Sequence, residues 1–281
     1  MDVGSIPLLL VWGALVGLVF SSIGAAGGIL ASFGLITLIG VTDPNSVKPM
    51  AQILALSTAL VFIPGYFKRK AWVLPLGLML SAGGIVGAIV GSTLSSRYLS
   101  DMDTFKPLFG ILALLVAIQI GWKLYKEKKE GKKVNNLCEH GVKNISVTEK
   151  AISFDYADKT YQCNPWAPWL AGFLIAVIAS IFGVGGGFLL VPYLATILGI
   201  PMFIIPATAA LAVFISSLIS VTNYLRMGSE VDIPILVTLI IGGIVGAKLG
   251  PKLNQIMKES WLQASLASIV AVIGTKYLLA G

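Results

Sequence analysis

Long apolar segments separated by short polar loops recur along the chain, and this pattern predicts membrane-spanning helices. A helix needs about 20 apolar residues to cross a hydrocarbon core roughly 30 Å thick. Segments of this kind lie near residues 6–22, 47–67, 72–94, 104–125, 166–181, 203–226, 231–252 and 261–279. The sequence therefore predicts an all-α polytopic membrane protein.

Glycine clusters interrupt the apolar pattern at two places. In the second half, four glycines fall between residues 183 and 187, and Pro192 follows them closely. Glycine is a poor helix residue, so we expect the helix to stop here and to restart near Phe188. Lipid cannot satisfy the backbone groups that such a break releases, so they must face protein or a water-filled cavity. The restarted helix directs its positive end at that cavity, which favours an anion.

The two halves of the sequence repeat one another. A shift of 159 residues, without a gap, places Gly40 on Gly199, and residues 83–88 are identical to residues 242–247. The same shift aligns the two glycine clusters, placing Gly24, Gly27 and Gly28 on Gly183, Gly186 and Gly187. We interpret the chain as an internal duplication.

Each repeat is expected to contain a broken-helix hairpin followed by three transmembrane helices. After the first glycine cluster, residues 28–40 would form a helix only about 20 Å long, which is too short to cross the bilayer alone. The number of crossings per repeat is then odd, so the two homologous repeats should be inverted, a recurring design of transporters. This divides the chain into a first repeat, a polar connector and a second repeat, at residues 1–125, 126–165 and 166–281.

A further set of glycines recurs at every fourth residue and therefore lies on one helix face. The set consists of Gly83, Gly87 and Gly91 in the first half and Gly242, Gly246 and Gly250 in the second. Small residues on one face let the backbones of neighbouring membrane helices approach closely. We interpret this stripe as a packing surface rather than a substrate contact.

The connector is polar, and strand-forming residues on both sides of Ala157 and Asp158 predict a short β-hairpin. Basic residues beside a membrane end mark the cytoplasmic side, and here they are Lys123, Lys126, Lys128 and Lys129. We therefore expect a cytoplasmic, solvated connector in which cysteines stay reduced. Zinc would need a fourth ligand and a standard spacing beyond what the connector offers, so no metal site is predicted from Cys138, His140 and Cys163.

Composition excludes a soluble globule. The hydrophobic share is 56%, only 12% of the residues are charged, and the mean hydropathy is +0.89. The formal charge of +7 reflects lysines in loops, as the positive-inside bias of membrane proteins leads one to expect. No basic face remains once the spans are removed, so nucleic acid is not an expected partner.

The spans carry few charged groups. No His, Asp or Glu lies deep in any of them, which argues against a proton relay or a carboxylate-based cation site. Lys48, Arg226 and Lys248 lie near predicted span ends, where long side chains can reach the interface. Hydroxyls, amides and backbone N–H groups remain. The candidate substrate-binding residues are Ser21, Ser22, Gly24, Gly27, Gly28, Gln52, Ser57, Gly183, Gly185, Gly186, Gly187, Thr208, Ser216 and Asn223.

Each hydroxyl in this set has a structural alternative, since it can bond back to its own helix or join two helices. Gln52 is different, because a primary amide inside a span needs partners. These donors suit a small, weakly hydrated or tetrahedral anion, and a carboxylate would also fit; a passive anion channel is a further alternative. No nucleophile–base or metal constellation lies in the spans, so neither an enzyme nor a cofactor is predicted.

Two motifs of the second repeat resemble the signature of the TauE/SafE family of sulfite and organosulfonate exporters, also called the 4-toluene sulfonate uptake permease family. One is the glycine cluster followed by Gly199-Ile-Pro and Ala207-Thr-Ala; the other is the glycine-rich run 242–250 after Val231-Asp-Ile-Pro. The resemblance covers both repeats. The first repeat departs from the pattern, because Phe33 stands where the second repeat has Pro192.

The resemblance implies a secondary transporter of sulfur-containing anions, such as sulfite, thiosulfate or sulfonates, in the inner membrane of a bacterium or archaeon. The expected partners are a small anion and the lipid bilayer, and the sequence leaves a coupling ion open. Substrates vary within the family, so the family does not fix the ion.

Overall fold

The computed structural model describes residues 5–23, 27–68, 72–130, 142–148, 151–156, 159–200, 204–256 and 259–279. Ten helices are present in these ranges, and they follow the predicted spans closely. Those of the first half are α1 (Ser5–Ile23), α2 (Gly27–Phe33), α3 (Pro44–Lys68), α4 (Leu74–Tyr98) and α5 (Met102–Glu130). Those of the second half are α6 (Trp166–Phe182), α7 (Gly187–Pro192), α8 (Ile205–Arg226), α9 (Ile233–Ile256) and α10 (Glu259–Leu279).

The short helices that follow the two glycine clusters, α2 and α7, form the short arms of the predicted hairpins, and both end in the same way. Helix α2 continues into a π-helical turn, Gly34–Leu38, and α7 continues into another, Tyr193–Ile197. Each turn is followed by a glycine with positive φ, Gly40 at 80° and Gly199 at 63°. A left-handed glycine is a common way to end a helix, because it carries no Cβ penalty. The short arms predicted from the sequence are therefore present.

The outer surface is suited to lipid. Four described helices are long and apolar enough to cross a membrane: Leu74–Tyr98, Met102–Tyr125, Thr208–Arg226 and Ile233–Gly250. Large apolar side chains are exposed along them, and three tryptophans near the ends of apolar segments are about 70% exposed, namely Trp122, Trp166 and Trp261. Aromatic rings in such positions are typical of the membrane–water interface. The chain is a multi-pass membrane protein.

The glycine stripe of α4 packs against the backbone of α6. A Cβ added at Gly83 would overlap the carbonyl of Trp169, and one added at Gly87 would overlap that of Phe173. Gly91 stands in the same relation to Val177. The residue numbers of these contacts rise together on α4 and on α6, so the two helices run parallel. The predicted role in packing is confirmed for this stripe.

The stripe of α9 packs against α1 in the same way. Cβ atoms at Gly242 and Gly246 would overlap the carbonyls of Leu10 and Ala14, and Gly250 lies against Leu18 and the hydroxyls that follow it. Here too the contacts advance in the same direction along both helices, so α1 and α9 are parallel. The same packing role is confirmed for the second stripe.

The connector forms a three-stranded antiparallel sheet, with β1 (Lys143–Thr148), β2 (Ala151–Tyr156) and β3 (Lys159–Cys163) in that order. The predicted hairpin is confirmed as β2–β3, in register from Tyr156 opposite Lys159 to Ile152 opposite Cys163. Its turn residues, Ala157 and Asp158, lie outside the described residues. Strand β1 was not predicted, although Ile145 and Val147 alternate with polar residues in it.

One face of this sheet is buried, so the expectation of a solvated connector holds only for the other face. Alternate residues of β2, Ile152, Phe154 and Tyr156, are buried. Phe154 and Tyr156 belong to an apolar cluster with the start of α4 and the approach to α8, including Val73 and Ile204. The sheet therefore packs on the helix ends at this side of the molecule.

Two titratable groups of the sheet have shifted pKa values, each for a different reason. Asn144 and Thr160 donate to the Asp155 carboxylate over 2.9 and 2.7 Å, and these bonds lower the pKa of Asp155. A lowered pKa stabilises the fold above the ordinary carboxylate range, and this contribution is lost only as the pH falls through the lowered pKa. Burial raises the pKa of the Cys163 thiol, so it stays protonated at neutral pH.

We expect Gly87→Val to reduce the yield of folded protein, because even the first carbon of the new side chain would force α4 and α6 apart. Overpacking of a close-packed interface costs on the order of 1–3 kcal/mol. Thermal unfolding of the detergent-extracted protein measures the effect. Gly121→Val on α5 is the matched control, since nothing lies within 4 Å of a Cβ there. Equal thermal stability of the two variants would contradict the packing role.

Candidate substrate-binding site at the helix breaks

The helix that follows the first glycine cluster, α2, is in contact with the second break. A Cβ added at Gly28, the second residue of α2, would overlap the carbonyl of Val184, which lies in the second break. Gly27 packs against Phe20 of α1, whose ring carbons would lie 2.7 to 2.9 Å from an added Cβ. Both glycines are buried. The third glycine of the first cluster, Gly24, lies outside the described residues.

The second break needs glycine at two backbone positions. Gly183 ends α6 with φ of 70° and donates its N–H to the carbonyl of Ala179, and Gly185 follows with φ of 65°. Gly186 then starts the next helix, since its carbonyl accepts the N–H groups of Leu189 and Leu190 over 3.2 and 3.0 Å. The left-handed conformation disfavours any residue with a Cβ.

Backbone donors are left over at this break. Within the described part of the chain, the N–H groups of Gly185, Gly186, Gly187 and Phe188 donate to no carbonyl. Residues 183 to 186 are buried. Orphan N–H groups at the start of a helix, with the positive end of its dipole, are a natural binding place for an anion. Helix α7 and its π turn together provide this helix, from Gly187 to Ile197.

A small cavity lies beside the second break. Its lining consists mostly of glycine and alanine, with Gly186 and Ser216 among the residues. Its volume is about 10 Å³, room for about one water molecule. The Ser216 hydroxyl donates to the carbonyl of Val213 over 3.2 Å. This conformation therefore holds the cavity nearly closed.

Gln52 is buried and retains a free acceptor. Its side chain is 1% exposed, and its Oε1 has no hydrogen-bond partner among the described residues. An unpaired buried polar atom is costly and calls for an explanation such as a ligand. Ser57, one turn and a half further along α3, instead donates to the carbonyl of Ile53 over 2.8 Å.

Of four other candidates, Thr208, Asn223 and Ser22 join two helices, and Ser21 bonds within its own helix. Thr208 accepts the N–H of Val73 over 3.1 Å and donates to Ile204 over 3.0 Å, so it fixes the start of α4 to the start of α8. Asn223 donates to the hydroxyls of Ser92 and Thr93 on α4. Ser21 and Ser22, at the end of α1, bond to the carbonyls of Leu18 and Gly250.

Sequence reasoning missed Lys48. It was expected to reach the membrane interface, and that expectation is wrong, because Lys48 is fully buried. Its Nζ donates to the carbonyl of Leu99 over 2.7 Å and to Asn45 over 3.2 Å, and its backbone packs on Gly183. Position near a helix end is the reason for the error, since only tertiary packing covers the side chain. Arg226 and Lys248 are exposed.

Metal binding finds no support in the described ranges, which contain no group of three or more His, Cys, Asp or Glu side chains. Of the three connector residues considered for zinc, Cys138 and His140 lie outside these ranges. Cys163 contacts the carbonyl of Ile152 across the hairpin at 3.8 Å.

A buried helix break that contacts the other half of a multi-pass membrane protein is a feature of solute transporters. Residues 9–277 match the family described as Sulfite exporter TauE/SafE, and the chain belongs to this family. It is a membrane transporter.

Three relatives cover nearly the whole chain. YunE of Bacillus subtilis is 24% identical over 288 residues, which cover 99% of this chain and 98% of its own. A protein of Xylella fastidiosa strain Temecula1 is 26% identical, with 92% and 89% covered, and MJ0441 of Methanocaldococcus jannaschii is 25% identical, with 98% and 96% covered. All three bear the name "Probable membrane transporter protein". No solved structure matches significantly.

We expect Gly185→Ala to fold and to transport poorly. The nearest atoms to an added Cβ are 3.9 Å away, so there is room, and the left-handed backbone costs about 1–2 kcal/mol. The methyl group would point toward Ser217, beside the orphan N–H groups, and we expect flux to fall by about tenfold, the equivalent of 1.4 kcal/mol.

Gly40→Ala is the matched control for that variant. Gly40 has φ of 80° and nothing within 4 Å of an added Cβ, so this change carries the same backbone cost outside the break. Initial rates in proteoliposomes, corrected for reconstituted protein, compare the two. Equal rates would remove the second break from the transport site.

Proposed function

We propose that the protein is a secondary carrier of small sulfur-containing anions, such as sulfite, thiosulfate or an organosulfonate. The anion binds near the midplane, where the glycine breaks of two inverted halves meet. The observation that carries this proposal is the contact between Gly28 and Val184, beside backbone N–H groups that have no acceptor among the described residues.

The contacts between helices support an internal repeat. The glycine stripe of α4 contacts Trp169 and Phe173, and the stripe of α9 contacts Leu10 and Ala14. These two pairs of contact residues are also related by the shift of 159 residues. The pairing of α4 with α6 thus corresponds to that of α9 with α1. The two π turns and the positive-φ glycines after them correspond under the same shift.

Helix directions support inversion of the halves. Helix α8 runs parallel to α4, because Gly77 lies by Thr208 and Ser92 by Asn223. A short loop then reverses the chain into α9, so α9 is antiparallel to α4. Since α6 is parallel to α4 and α1 is parallel to α9, helices α1 and α6 run in opposite directions. The opening hairpins of the two halves therefore enter from opposite sides.

The chemistry of the site favours an anion. Backbone N–H groups without an acceptor, the N-terminal end of a helix dipole and the buried Lys48 all contribute positive potential. In the described helices, Asp and Glu lie only near helix ends, so the break faces no carboxylate from the middle of a span. Neutral donors hold an oxyanion without binding it too tightly to release.

Sulfur anions are favoured over carboxylates by the description of the family, which names sulfite. The printed names of the relatives specify only membrane transport. A carboxylate carrier and a passive anion channel are the outcomes that an assay must separate from the proposal.

Uptake of labelled sulfite into proteoliposomes, with thiosulfate, a sulfonate and a carboxylate as competitors, tests the substrate class. We expect saturable uptake that the sulfur anions block and the carboxylate does not. Equal or better competition by the carboxylate would assign the protein to organic anions. Flux that rises without saturation, with large electrical currents, would assign it to the channels.

We also propose that the connector is cytoplasmic and that the protein lies in the inner membrane with both chain ends outside. Ser146 of β1 and Glu230 after α8 are both exposed. They lie at opposite ends of α8, whose 22 residues span roughly 33 Å.

Single cysteines at these positions, in a background without Cys138 and Cys163, test the orientation. We expect a membrane-impermeant maleimide to label Glu230→Cys in intact cells and Ser146→Cys only after the membrane is opened. The reverse pattern would contradict the orientation, and labelling of both positions in intact cells would contradict a sealed span between them.

A further inference from the structure

Helices α3 and α8 run antiparallel in contact with each other. Lys48, near the start of α3, lies over the ring of Tyr224 near the end of α8, with 5.9 Å from Nζ to the ring centroid. At the other end, Val73, which follows α3, donates its N–H to Thr208 at the start of α8. Residues that follow Lys48 along α3 therefore lie beside residues that precede Tyr224 along α8.

The Lys48 amino group is buried and makes no close ion pair among the described residues. Its Nζ lies 5.0 Å from the centroid of Phe105, and its hydrogen bonds go to a carbonyl and an amide. Within the described part of the chain no carboxylate pairs with it. Asp43, at the start of α3, interacts with Lys48 electrostatically without forming an ion pair, and its carboxylate accepts the N–H of Asn45 and the hydroxyl of Ser46.

One helical turn further in, both helices carry a buried polar atom without a partner. Gln52 follows Lys48 by four residues and Ser220 precedes Tyr224 by four, so each shares a helix face with its neighbour. Gln52 Oε1 and Ser220 Oγ lack partners among the described residues, and the two side chains are 1% and 0% exposed. One turn beyond Ser220, the hydroxyl of Ser217 lies 3.9 Å from where a Cβ of Gly185 would be.

We propose that Lys48, Gln52 and Ser220 form a buried polar column between α3 and α8 that binds the substrate anion, with the Lys48 ammonium supplying the charge. The column leads from the end of α4, where Lys48 holds the Leu99 carbonyl, to the second glycine break. Its ligand is a small oxyanion whose oxygens accept from the ammonium, the amide and the hydroxyl.

Charge balance favours a ligand over a purely structural role. An ammonium removed from water with no carboxylate in direct contact is costly, and an anion beside it offsets part of that cost. Capping the end of α4 through the Leu99 carbonyl would explain the position of Lys48. It would leave the orphan atoms of Gln52 and Ser220 unexplained.

The inference rests on the proposed function, because it assigns the anion of that carrier to named side chains. Ser220→Ala is the most direct test. The hydroxyl has no protein partner among the described residues, so its loss should leave the unfolding temperature unchanged. We expect the KM for thiosulfate uptake to rise by about tenfold, as removal of a hydrogen bond to a charged ligand does. An unchanged KM in the folded variant would overturn the column.

Lys48→Met tests the charge. Thiosulfate is divalent and methanesulfonate is monovalent, and the loss of a unit positive charge weakens the binding of the divalent ion more. We expect the KM for thiosulfate to rise by more than about tenfold, with a smaller rise in the inhibition constant of methanesulfonate. Lys48→Arg should restore most of the affinity. Lys248→Met, at an exposed lysine of α9, is the control and should match the wild type.

Equal losses for both ions, or a Lys48→Met variant with wild-type KM, would assign Lys48 to helix capping and overturn the inference. If Lys48→Met does not fold, Ser220→Ala decides the question. A wild-type protein that carries carboxylates and not sulfur anions would overturn the proposed substrate alone. The same variants assayed with succinate and acetate, again a divalent and monovalent pair, would then still decide the role of the column.

Discussion

A backbone that leaves the helix inside a membrane must have its N–H and C=O groups enclosed by protein, and this constraint shapes the whole structure. The helices that lead into the two glycine clusters, α1 and α6, are closely packed by α9 and α4. The approach is possible because glycines face a neighbouring backbone, as Gly87 faces Phe173 and Gly246 faces Ala14. The glycine stripes therefore serve the same constraint as the breaks, because close helix packing keeps lipid away from the backbone groups that a break leaves unpaired.

The site that we propose has positive potential and little room. The first half contributes Lys48 and Gln52 from α3, and the second contributes the break at Gly185 and the hydroxyls of α8. Equivalent positions in the repeat do not carry the same chemistry, since Lys48 corresponds to Ala207 and Gln52 to Leu211. The proposed site thus draws on an asymmetric set of polar groups, which suits a single anion.

Much of the fold could be predicted because its signals are local. Apolar length predicted the spans, the glycines from Gly183 to Gly187 predicted the second break, and strand-forming residues on both sides of Ala157 and Asp158 predicted the hairpin. The site was harder. Lys48 looked like an interfacial lysine because burial depends on α4, α5 and α8 meeting around it. Thr208 and Asn223 looked like ligands because sequence does not show that Val73, Ser92 and Thr93 already occupy their hydrogen-bonding groups.

The central claim is that an anion binds between the two halves, at the second break and the column of Lys48, Gln52 and Ser220. Selenite has the shape and charge of sulfite, and its selenium scatters X-rays anomalously. A crystal soaked with selenite should therefore show an anomalous peak between α3 and α8, within hydrogen-bonding distance of Ser220 or of the N–H groups after Gly185. A peak confined to any other part of the molecule would contradict the account.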